Sequence, residues 1–269
     1  MQPIKYKDMT SLKKIFWLLP LILLFQQCAS DSNDLAFSAD DTGVGGSYAR
    51  FIVSGDFLYV VDQANIKTFS LSDPVMPVQV DNKDVGENIE SLFRLDRRLF
   101  IGSGSGLYVY EIDDQGIPQS IGQADYALPF QPCDPVVADQ NYAYVTLNTF
   151  NSVNSCGREV IEQVNVLKIF DLTDISQPNL VNEYQMFNPK GVGIDGNTLF
   201  ICDDEEGLKI FDVTDRRNIQ LINQFSDFTA FDVIPLNGLL LVVATDNIYQ
   251  FDYTDLENIR LISAIPIQA

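Results

Sequence analysis

Short apolar runs, each closed by a polar turn, recur along this chain from Tyr48 onwards. One phrase organises them. Gly207-Leu-Lys-Ile-Phe-Asp-Val-Thr-Asp215 has counterparts beginning at Asn65, Gly106, Val166 and Asn247. Its fifth position is always aromatic (Phe69, Tyr110, Phe170, Phe211, Phe251) and its ninth always Asp (Asp73, Asp114, Asp174, Asp215, Asp255). The aromatic anchors lie 41, 60, 41 and 40 residues apart, a period typical of propeller-like arrays. Each unit predicts four strands. In the fourth unit these are 191–194, 198–202, 208–213 and 219–225, with Asp195-Gly-Asn197 supplying a hairpin turn and Asp215 opening another. The middle runs, such as Leu239-Leu-Leu-Val-Val243, are apolar on both faces, as befits strands covered on both sides. The expectation is an all-β fold, a five-bladed β-propeller with four antiparallel strands per blade. It occupies residues 47–269 and closes by packing blade five on blade one.

The phrase Leu167-Lys-Ile-Phe-Asp-Leu-Thr-Asp174, followed four residues later by Pro178, resembles the LVIVD repeat of bacterial surface and secreted propellers. The likeness runs over roughly residues 47–269, and the layout is similar to that of Bacteroidetes lipoproteins carrying this repeat. The resemblance implies a propeller and leaves its biochemical role undefined.

Residues 1–27 read as a lipoprotein signal peptide. Lys5, Lys7, Lys13 and Lys14 precede an apolar core from Ile15 to Phe25, shorter than the roughly 18 residues of a membrane span. Cys28 follows and is the expected lipidation site, bearing palmitate, although Phe25-Gln26-Gln27 stands where a lipobox usually has small residues. Residues 28–46 are acidic and end in Gly43, Gly45 and Gly46, which predicts a tether. The expected address is the bacterial cell envelope, with lipid anchoring at the outer membrane.

The third unit carries extra residues, mostly between Phe150 and Gln163, between its second and third strands. Cys133, at the start of that unit's inner strand, and Cys156, in the insertion, fall at the same end of a blade. An exported chain permits a Cys133–Cys156 disulfide; the alternative is two free thiols. Cys202, inside an apolar run, reads as a buried thiol.

Charge narrows the function classes. There are 17 basic and 37 acidic residues, and removal of 1–27 leaves 13 against 36. Such an excess repels nucleic acid. The chain has no His, which excludes Ser-His-Asp chemistry and His-containing zinc sites. No cofactor or metal is expected. Asp203-Asp-Glu-Glu206 lacks the spacing of a calcium loop and reads as a solvated hairpin tip, and Gly102-Ser-Gly-Ser-Gly106 as a turn.

The starts of the inner strands converge on one mouth of the central channel. Arg50, Glu90, Asp134, Lys190 and Asp232 are therefore the candidate binding residues, or else a wet ring of ion pairs. The function expected is a monomeric, non-catalytic binding module whose partner is an envelope protein or a glycan. The alternative is a glycan hydrolase using Glu90, Asp134 and Asp232, against which Arg50 and Lys190 should lower the carboxylate pKa values.

Overall fold

A computed structural model describes residues 45–126, 135–149 and 164–267. Blade one comprises β1 (Phe51–Ser54), β2 (Phe57–Val61), β3 (Asn65–Ser70) and β4 (Val78–Asp84). Blade two comprises β5 (Ile89–Leu95), β6 (Arg98–Ser103), β7 (Gly106–Ile112) and β8 (Pro118–Asp125). Blade three has β9 (Val136–Ala138), β10 (Tyr142–Asn148), β11 (Asn165–Asp171) and β12 (Asn179–Gln185). Blade four has β13 (Val192–Asp195), β14 (Thr198–Cys202), β15 (Leu208–Asp212) and β16 (Gln220–Phe225). Blade five has β17 (Ala230–Leu236), β18 (Leu239–Ala244), β19 (Asn247–Asp252) and β20 (Arg260–Pro266). Each blade is a four-stranded antiparallel sheet with neighbours in chain order. The protein is a five-bladed β-propeller, as the sequence predicts.

The repeated aromatic has a structural role. In every blade the register between the third and fourth strands shifts at that residue, at Phe69, Tyr110, Phe170, Phe211 and Phe251. A bulge there adds local twist to the outer edge of the blade. The turn that follows is held by an Asp side chain accepting a backbone N–H two residues on, as Asp73 does from Val75 and Asp215 from Arg217.

Strand alternation gives each blade two apolar faces. Positions two and four of the phrase face the following blade, and positions five and seven the preceding one. Thus Leu107 and Val109 pack with blade three, while Tyr110 and Ile112 pack with blade one. Four buried clusters join blades one and two, two and three, three and four, and four and five. Among the described residues none joins blades five and one.

The expected packing closure is therefore replaced by a polar one. Ala49 N–H donates to Gly46 C=O at 3.0 Å, turning the chain ahead of β1. That turn delays the first strand from Tyr48 to Phe51 and carries residues 45–48 to the far blades. The buried Ser47 hydroxyl donates to Asp232 Oδ1 at 3.0 Å and accepts from Val192 N–H at 2.9 Å. Gly46 lies so near that a Cβ there would meet the Asp232 carboxylate at 2.0 Å. At the opposite end of the propeller, side chains clamp successive blades. Tyr59 donates to Gly116 C=O, Gln140 to Asp96, Arg216 to Asp139 and Tyr253 to Asp195.

Candidate binding mouth

Among the described residues, the candidates fall at two successive register positions of the inner strands. Cross-strand pairing shows why. Val61 and Cys202 donate to Arg50 and Gly191 C=O, Gly102 pairs with Ser91, and Val243 with Asp232. Arg50, Ser91, Gly191 and Asp232 thus share one register, and Ala49, Glu90, Lys190 and Phe231 the position before it. Glu90 and Phe231 are the extra residues at register shifts in β5 and β17, where a bulge re-aims the side chain. The candidates mix the two sets.

Their environments differ accordingly. Arg50 is exposed, and Glu90 is buried. The Lys190 ammonium lies 3.1 Å from Asp204 and 4.3 Å above the Phe231 ring, an arrangement that satisfies a cation twice over. Asp232 accepts from the Ser47 hydroxyl, from Val233 N–H at 2.9 Å, and from the backbone N–H groups of Ser47 and Tyr48. Burial nevertheless pushes its pKa up to about 6, and the hydrogen bonds only partly offset this. The expectation of a lowered carboxylate is corrected for Asp232, because desolvation outweighs the hydrogen bonds from Val233, Ser47 and Tyr48 that oppose it. Asp134 lies outside the described residues, as do Cys28, Cys133 and Cys156. Cys202 is fully buried, and burial raises its thiol pKa well above the usual value.

The acidic run after β14 is also corrected. Asp203 is buried, accepting from Phe187 N–H at 3.1 Å, Asn188 N–H at 2.7 Å and Lys209 Nζ at 2.6 Å. Asp204 pairs with Lys190, so only Glu205 and Glu206 form the solvated tip. A signal for this exists in the sequence. Lys67 of blade one occupies the same third position as Lys209 and pairs with Asp62 at 2.7 Å, the counterpart of Asp203. A Lys inside an apolar strand requires a carboxylate within reach.

Where the inner strands converge there is a cavity of about 270 Å³. Its walls include Ile52, Leu92, Val137, Val192 and Val233, one apolar residue from each blade, with Arg94 as a cation. The tunnel is thus mainly apolar, not a ring of ion pairs.

Comparison with known proteins points to the same fold. The LVIVD repeat is matched over residues 45–68, which span the start of blade one and the first four residues of its phrase. No curated protein matches the chain. Among solved structures, a Lactobacillus plantarum protein superposes with a TM-score of 0.56 at 13% identity, over 78% of this chain and 68% of that one. The periplasmic gluconolactonase PpgL of Pseudomonas aeruginosa gives 0.54 at 14%, over 79% and 68%. BamB of Moraxella catarrhalis gives 0.51 at 9%, over 71% and 53%. The chain therefore spans between about half and two thirds of the length of these propellers. At such identities the likeness speaks for the fold.

Proposed function

We propose that this protein is a lipid-anchored β-propeller of the bacterial cell envelope, of the Bacteroidetes lipoprotein type, and a binding module without catalysis of its own. The observation that carries the non-catalytic reading is the engagement of the mouth's ionisable groups. Lys190 is paired and stacked, Asp232 accepts four donors, and Glu90 is buried. Groups held this way support the scaffold. Binding then falls to the loops around the mouth, including the third-blade insertion with its Cys133–Cys156 pair, because long loops on a rigid scaffold carry recognition. The partner is an envelope protein or a glycan, and the anchor is Cys28.

Two measurements test this reading. Cys28→Ser should move the protein from the membrane fraction to the soluble fraction; retention with unchanged mobility removes the anchor. Immobilised protein should capture a partner from native envelope extract, and replacement of 151–159 together with Cys133→Ser and Cys156→Ser should abolish capture. Loss of capture only with changes at the opposite end, such as Asn197→Ala, would place binding elsewhere.

A second reading, glycan hydrolysis, draws on Asp232, whose pKa of about 6 suits a general acid. It requires Asp232→Asn to abolish turnover of an envelope glycan while fold and binding persist.

A further inference from the structure

The blades present two kinds of face, and among the described residues one of each is left without a partner blade. In the forward kind, position two of the phrase is fully buried in Ile66, Leu107, Leu167 and Leu208, and so is position four in Thr68, Val109, Ile169 and Ile210. Blade five differs: Ile248 and Gln250 are only half-buried, as are Leu239, Leu241 and Val243 on the same face of β18. In the backward kind, Tyr110, Phe170 and Phe251 are buried under the preceding blade and Phe211 is half-buried; the neighbouring inner-strand positions Leu92, Val136, Val192 and Val233 are buried as well. Blade one again differs. Phe69, Leu58 and Val60 are half-buried, Phe51 is 65% exposed and Val53 42%. Two apolar sheet faces, forward on blade five and backward on blade one, thus lack a partner among the described residues. Contiguous apolar surface of this kind marks an interaction site.

We infer that these faces join copies of this chain head to tail, the forward face of blade five on one copy packing against the backward face of blade one on another. The occupant follows from the packing already present. Each of the four internal clusters is formed by a forward face meeting a backward face. The surface shaped to cover blade five is therefore a backward face, and a second copy presents one in its own blade one. The contact continues a packing mode that the chain repeats internally. It is a heterologous interface, using different patches on the two partners. It is also shallower than the internal ones. Where blades one to four insert Tyr59, Phe100, Tyr144 and Phe200, blade five offers Leu241, and Gln250 replaces an apolar residue. The association is accordingly reversible. It departs from the monomer expected from sequence.

Sedimentation velocity on the full chain over a range of concentrations should show a reversible dimer or larger oligomer. Val60→Asp, on the backward face, and Leu241→Asp, on the forward face, should each weaken association by a hundredfold or more, on the order expected for burying an unpaired carboxylate. Both sites are half-buried at a sheet surface, and matching circular dichroism will show that the fold is retained. Leu221→Asp, at an exposed apolar site on β16 away from both faces, should leave association unchanged. Each seam variant keeps one intact face, so an equimolar mixture of Val60→Asp and Leu241→Asp should recover a heterodimer. A wild-type monomer throughout, persistence of the dimer in either seam variant, or failure of the mixture to associate overturns the inference.

Discussion

Asp232 shows how one side chain can close a ring and still hold a proton near neutral pH. Its folded pKa is about 6, against an ordinary value of 3.8. Between those values the folded state binds more protons than the unfolded chain. The contribution of this group to stability is therefore fullest below pH 3.8 and is lost as pH rises through 6. The loss is at most about 3 kcal/mol. Asp232→Asn cannot titrate, so wild-type stability should gain on the variant as pH falls from 7.5 towards about 4.5. Thermal unfolding of both proteins across that range checks this; parallel curves would mean that Asp232 is ionised normally. The opposite sense holds for Asp252, whose pKa is lowered to about 2, chiefly by Thr254 and Arg260. Its contribution is present above the ordinary pKa and disappears as pH falls through the folded one.

At the scale of elements, the strands and hairpins were legible because each blade repeats the same local chemistry. One turn shows where that legibility stops. The phrase puts Asp114 in register with Asp73 and Asp174, yet in blade two it is Asp113 that accepts from Gln115 and Ile117. Asp114 instead pairs with Arg97 at 2.9 Å and is exposed. The shift arises because β7 runs on to Ile112, which pairs with Pro118 across the turn. Asp113→Ala should lower the unfolding temperature by a few degrees and Asp114→Ala should not, which differential scanning calorimetry can resolve. The candidate mouth was less legible than the turns. Arg50, Glu90, Lys190 and Asp232 stand at the starts of inner strands, but their orientation depends on a one-residue register, and the partners of Asp232 include Ser47 from ahead of blade one. Ser47 was missed for the same reason. It stands at the first residue of the expected propeller, ahead of any strand signal, and only the fold brings it to Asp232 and Val192.

At the scale of the whole molecule, the two ends of the propeller are joined by different means. The strongest clamp opposite the mouth is Arg216. It reaches Asp139 at 3.0 Å, Tyr144 Oη at 3.1 Å and Asn197 Oδ1 at 3.0 Å, with its guanidinium over Tyr142. Arg216→Ala leaves Asp139 and Tyr144 short of a partner between blades three and four, and should cost about 2 kcal/mol in denaturant unfolding. The mouth end has its own tie in residues 45–48, and that tie determines how the propeller bears load. A pull on the chain at residue 45 meets Ser47 first, and Ser47 is fastened to blades four and five by Asp232 and Val192. Tension is thus passed across the ring before it reaches β1, which among the described strands pairs only with β2 and would otherwise peel away one hydrogen bond at a time. The segment works as a strain relief, as a knotted cord does where it enters a plug.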